Sequence, residues 1–94
     1  MAIRITHRRM APSGYLTEHI ASVRWVNEAN GEVGTSFVYP AVVDYIDKQH
    51  GKAYVFDGRN RIEVGTVHPR QGRPFIRTFK DGVATDNLLQ LPTY

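Results

Sequence analysis

The sequence contains no cysteine, which removes disulfides, thiolate metal sites and a cysteine nucleophile together, and leaves packing to supply the stability. It also lacks a long apolar run. The opening stretch places Arg4, Arg8 and Arg9 among its hydrophobic residues, so neither a signal peptide nor a membrane span is expected, and a soluble, cytoplasmic protein without a membrane partner is. The eight glycines are dispersed, none at the spacing of a nucleotide-binding fingerprint, and no Gly-x-Ser-x-Gly elbow is present. Acidic residues are the minority, nine against twelve Lys and Arg, for a net charge of +3. So small an excess suits a polyanion or an acidic partner without requiring one. There is no internal repeat, low-complexity tract or linker. The 94 residues therefore read as one domain, 1–94, of a size that buries about 60 to 65 per cent of its unfolded surface.

What is present is a succession of short periodic segments. Ile3, Ile5 and His7 alternate with Arg4, Thr6 and Arg8, the pattern of a half-buried strand whose charged row suits a sheet edge. Ala11 to Gly14 is a loop, with Tyr15 and Leu16 expected to fold back as small apolar anchors. His19 to Asn27 resumes as a strand with Trp25 as a central core residue. Asn30-Gly31 predicts a hairpin to a third strand over Glu32 to Phe37. The period then changes: Tyr39, Val42, Val43 and Ile46 recur at spacings of three and four, predicting one amphipathic helix of about ten residues with Pro40 in its first turn. Asp44 and Lys48 are placed to pair, and Gly51 to supply a left-handed C-terminal residue. Lys52 to Phe56 and Arg61 to His68 predict a second hairpin around Asp57-Gly-Arg-Asn60, with Gly65 a bulge.

The last twenty residues read as a closing latch. Phe75, Arg77 and Phe79 share one face of a strand and Ile76 and Thr78 the other. The strand stops at Asp81-Gly82, and Thr85 or Asp86 caps a helical turn that returns Leu88, Leu89 and Leu91 to the sheet. The expected architecture is α+β: an antiparallel sheet in the order βββ-α-βββ, packed on one amphipathic helix, with a short C-terminal helical turn.

The segment Pro74-Phe-Ile-Arg-Thr-Phe-Lys-Asp-Gly-Val-Ala-Thr-Asp-Asn-Leu-Leu-Gln-Leu-Pro92, with His19-Ile20, Trp25, Val43-Asp44-Tyr45-Ile46 and Ala53-Tyr54-Val55, resembles the uncharacterised family catalogued as domain of unknown function family number 3892. The likeness runs from about His19 to Tyr94. It implies a small bacterial or phage protein and carries no activity, cofactor or catalytic residue with it.

The side chains that bear chemistry are scattered. His7, His19, His50 and His68 have no second ligand at helical spacing, so no metal is expected. Ser22, Ser36, His68 and Asp81 lack the local context of a triad, and Asp81, Asp86 and Asn87 fit turn and cap roles. Arg77, placed between two phenylalanines, calls for an acid such as Asp81 or Asp86. No catalytic residue and no cofactor is expected. The remaining signal is basic residues together with aromatics: Arg4, Arg8, Arg9, Arg59, Arg61, Arg70, Arg73, Arg77 and Lys80. The expectation is a non-catalytic binding or accessory protein that contacts an unidentified protein, with the loop arginines Arg59, Arg70 and Arg73 as contact residues. The alternative is a nucleic-acid-binding module using basic loops and exposed aromatics.

Overall fold

The computed structural model describes residues 2–94. Seven strands form one sheet in the spatial order β3-β2-β1-β4-β5-β6-β7. They are β1 (Ala2–Met10), β2 (Ile20–Asn27), β3 (Val33–Phe37), β4 (Lys52–Phe56), β5 (Arg61–Val67), β6 (Phe75–Lys80) and β7 (Val83–Thr85). A wide turn over Val38–Val42 leads into α1 (Val43–Asp47), and short 3-10 turns sit at Thr17–His19 and Asn87–Gln90. The fold is α+β as expected, but the sheet is mixed, because β1 runs parallel to β4.

β1 is not an edge. It lies between β2 and β4, and its alternation reports one core face and one open face, which a central strand covered on a single side also shows. Buried Ile3 and Ile5 point to the core and Arg4 to the other face. Both register shifts in the β1–β2 ladder, between Ile5 and His7 and between Arg9 and Met10, lie where the sequence has no glycine. Gly65, by contrast, is not a bulge, since pairing from Glu63↔Phe79 to Val67↔Phe75 is uninterrupted. An added Cβ there would stand 3.1 Å from the Phe79 ring, so the glycine makes room for a cross-strand aromatic.

The helix is half the expected length. Tyr39 precedes Pro40, and the residue before a proline is driven to extended backbone; Tyr39 has φ −116° and ψ 127°. Regular helix begins only at Val43. Asp44 and Lys48 do pair, at 3.6 Å. At its far end His50, with φ 55°, takes the left-handed conformation assigned to Gly51. Gly51 serves instead as a floor for the Tyr45 ring, which an added Cβ would meet.

Both predicted hairpins form, with Gly31 at φ 74° and Gly58 at φ 98°. A third was not expected. Asp81 and Gly82 both have positive φ, the pairing that a two-residue turn requires to match strand twist, and β7 follows directly on β6.

One face of the sheet closes over a core of Ile3, Ile5, Val23, Val55, Ile62, Val64 and Ile76 with Val42 and Val43 from the helical segment and Leu88 from the last turn. Leu89 and Leu91 pack against it, so the latch stands. Trp25 is only half-buried, its indole N–H donating to Ser36 Oγ at 3.0 Å. Tyr15 and Leu16 are exposed rather than folded back onto the core, with the Tyr15 ring edge-on to His19. No side chain of Thr85 or Asp86 caps the last turn. The buried Thr78 hydroxyl accepts the Asn87 N–H at 3.2 Å and lies 2.6 Å from the Thr85 hydroxyl, which in turn donates to Asn87 Oδ1 at 2.6 Å.

Leu88 is fully buried, and removing a buried leucine side chain costs about 2–5 kcal/mol. Leu88→Ala should lower the urea midpoint by that much free energy, whereas exposed Gln90→Ala should leave it within about 0.5 kcal/mol of wild type. An equal effect of the two would mean that the last turn does not close the core.

Candidate functional site

Three of the sequence-selected arginines end up on two ends of the sheet. Arg59 lies in the β4–β5 turn, Arg70 and Arg73 in the β5–β6 loop, and all three are exposed. Seven-residue β5 stands between them, about 23 Å at strand rise, so Arg59 shares no patch with the other two. Asp57 orders its turn by accepting the N–H groups of Arg59 (2.8 Å) and Asn60 (2.7 Å).

Arg73 borders a groove of about 550 Å³, which the start of β2, the β3-to-helix junction and the β5–β6 loop enclose. Its lining combines Phe37, Tyr39, Phe75 and Pro74 with Glu18, His19 and Arg73. The Arg73 guanidinium stands over the Tyr39 ring, 5.4 Å from its centroid. His19 is fixed from below: its Nδ1 accepts the N–H of Tyr15 and of Leu16, both at 3.2 Å. β3 is an outer strand of the sheet and pairs only with β2, so the side away from β2 offers unpaired backbone groups. Along it Val33 is 63% exposed and Phe37 69%, and Tyr39 continues the line at 42%. Tyr39 was expected on the buried face of the helix; its extended backbone turns it out to the groove.

A second cluster went unread in the sequence because residues from three segments build it. The chain end runs beside β1, where the Arg8 N–H donates to the Pro92 carbonyl at 3.0 Å and Arg8 forms a parallel bridge to Thr93. This places Tyr94 against β1 and β2. Its hydroxyl lies 2.6 Å from Ser22 Oγ, and the guanidinium groups of Arg9 and Arg24 lie 4.7 and 4.5 Å from its ring centroid. A shallow groove of about 390 Å³ beside it is lined by Arg9, Ser22, Thr35, Ser36, Phe37 and Tyr94.

The remaining candidates have structural partners. Arg77 pairs with Asp86 at 3.3 Å and not with Asp81, which occupies the turn. Arg61 pairs with Glu28 at 3.1 Å and lies over the Tyr54 ring at 4.4 Å. His68 Nε2 is 2.9 Å from Asp47, whose other oxygen accepts the Thr66 hydroxyl at 2.6 Å; together they tie α1 to β5. Ser22, Ser36 and His68 thus bond to Tyr94, Trp25 and Asp47, three separate partners. No group of three or more metal-ligating side chains occurs among the described residues, and no helix among them is long and apolar enough to cross a membrane. The Nε groups of Arg4 and Arg8 are covered and meet no hydrogen-bond acceptor among the described residues.

The two N–H bonds hold the Asp57 carboxyl below its ordinary value of 3.8. A carboxyl whose folded pKa is depressed stabilises the fold above its unfolded pKa and loses that contribution as pH falls through the folded value. Asp57→Ala should therefore be less stable than wild type at pH 7. The gap between their urea midpoints should narrow as pH falls below 3.8; a gap unchanged at low pH would show that the charge on Asp57 is irrelevant to the turn.

Among known proteins, a family model described as protein of unknown function (DUF3892) matches residues 4–92, extending to β1 the likeness seen from His19 onward. No curated protein and no solved structure matches the chain.

Proposed function

The chain belongs to that family, and as the membership brings no activity with it, we propose from the surface that this is a non-catalytic, cytoplasmic binding protein acting through contact with another protein. The observation that carries the reading is the line of exposed apolar side chains, Val33, Phe37 and Tyr39, along and beyond the open edge of β3. Large apolar groups exposed together beside unpaired strand backbone are what an added strand from a partner covers: its main chain pairs with the edge and its side chains enter adjacent pockets. The groove under Phe37 and Tyr39 is such a pocket.

Arg73, held over Tyr39, and Glu18 line the groove, and Arg70 is exposed in the same loop as Arg73, so the partner segment is expected to carry charge of both signs around an apolar centre. Arg59 is a contact on a separate surface at the far end of β5. The non-catalytic part of the reading draws support from the way that Ser22, Ser36 and His68 are each bonded in a different place. The absence of cysteine supports a reducing compartment.

The test is affinity capture from the source cell with wild type and with Phe37→Ala plus Tyr39→Ala, both exposed positions at which truncation spares the core. Aromatic anchors of an interface carry about 2 kcal/mol or more when truncated, so the partner recovered with wild type should be depleted at least tenfold with the variant. Equal recovery by both proteins would place the contact elsewhere.

A further inference from the structure

We propose that the cluster of Arg9, Arg24 and Tyr94, with Phe37 beside it, binds single-stranded nucleic acid, a role that shares Phe37 with the proposed protein contact and otherwise lies outside the Tyr39 groove. Charge distribution is the first observation. The ion pairs of the described residues occupy Arg61, Arg77, Lys48 and His68, and neither Arg9, Arg24, Arg4 nor Arg8 has an Asp or Glu side-chain partner. Positive charge therefore collects on β1 and β2 although the whole chain carries only +3. His7, paired across the ladder with Arg24, faces the same neighbourhood.

The second observation is what the arginines surround. Two guanidinium groups lie over one tyrosine ring, 4.7 and 4.5 Å from its centroid, and neither forms an ion pair with an Asp or Glu side chain among the described residues, which leaves N–H donors of the kind with which arginine takes phosphate oxygens. Arg9 spends its Nε–H on the Tyr94 backbone oxygen at 3.1 Å, which fixes the group while leaving its terminal nitrogens free. Phe37, 69% exposed, lines the adjoining groove with the hydroxyls of Ser22, Thr35 and Ser36. An exposed ring beside an arginine pair with no Asp or Glu side-chain partner among the described residues can stack a base while the arginines hold the backbone, which is how strands are bound without sequence preference. An acidic peptide would use the charge and leave the ring idle.

The experiment measures binding of a labelled oligo-dT by fluorescence anisotropy across a salt series. Competitors are polyglutamate of equal charge, an abasic oligonucleotide of equal length and anionic vesicles. Affinity should fall with salt, and Arg9→Ala plus Arg24→Ala should weaken it about tenfold or more and flatten the slope by about 1.4, two phosphate contacts on a single strand. Should that protein fail to fold because Arg24 is half-buried, exposed Arg9→Ala alone should flatten the slope by about 0.7. Phe37→Ala should lose about tenfold against oligo-dT and nothing against the abasic strand. Tyr39→Ala plus Arg73→Ala should bind oligo-dT as wild type does, which separates this site from the protein-binding groove. The proposal is overturned if the arginine variants bind unchanged, if polyglutamate or vesicles compete as well as oligo-dT, or if the abasic strand binds equally.

Discussion

The pairing of β1 on both of its sides is the constraint that the rest of the structure answers to. A strand in the interior of a sheet presents N–H and C=O groups to left and right, and each that is left dry and unpaired costs about 1–3 kcal/mol. β2 satisfies one side along most of its length. On the other, β4 reaches only from Ala2 to Arg4. Beyond that point the chain end supplies the bonds, the Arg8 N–H to Pro92 and the Tyr94 N–H to the Arg8 carbonyl. The residues that close the core through Leu88 therefore also complete the sheet through Pro92 and Tyr94, and core and ladder are sealed by one continuous segment.

That dual duty explains how the fold was legible from sequence in its local parts and obscure in its joins. Alternation, turn dipeptides and apolar spacing report what a residue's near neighbours need. They recovered six strands, the Asn30-Gly31 and Asp57–Asn60 hairpins, the Asp44–Lys48 pair and the returning leucines. What they do not carry is which strand lies beside which. The parallel β1–β4 pairing joins residues fifty positions apart, and nothing in the Ile3-Arg4-Ile5 alternation distinguishes a strand with one neighbour from a strand with two. β7 was missed for a different reason, being three residues long and too short to show a period.

The glycines and prolines show the same division at finer grain. Gly65 and Gly51 signal flexibility when read alone, yet neither has a positive φ; each is small because an aromatic ring, Phe79 or Tyr45, lies where its side chain would be. The signal needed to find this was the partner ring, which for Gly65 lies on the neighbouring strand two positions beyond its paired residue Arg77 and for Gly51 lies six residues earlier, in the helix. Pro40 was placed correctly near the helix start, and its effect on the residue before it was the part overlooked. That effect shortens the helix and turns Tyr39 outward, so one local rule sets both an element boundary and the surface beside it.

Charge gives the sharpest case of arrangement outweighing composition. Twelve cations against nine acids would neutralise one another almost fully if mixed evenly, and on β5, β6 and α1 they do, through Arg61–Glu28, Arg77–Asp86 and Lys48–Asp44. β1 contains three arginines and no acid, and β2 one arginine and no acid. Their antiparallel pairing brings Arg9 and Arg24 to one residue, Tyr94, whose ring lies 4.7 and 4.5 Å from the two guanidinium groups and attracts cations through its face, while its main-chain oxygen accepts the Arg9 Nε–H at 3.1 Å. Packing thus places Arg9 and Arg24 around a ring with no Asp or Glu side-chain partner among the described residues, while the loop arginines that the sequence made conspicuous stand apart on opposite ends of β5.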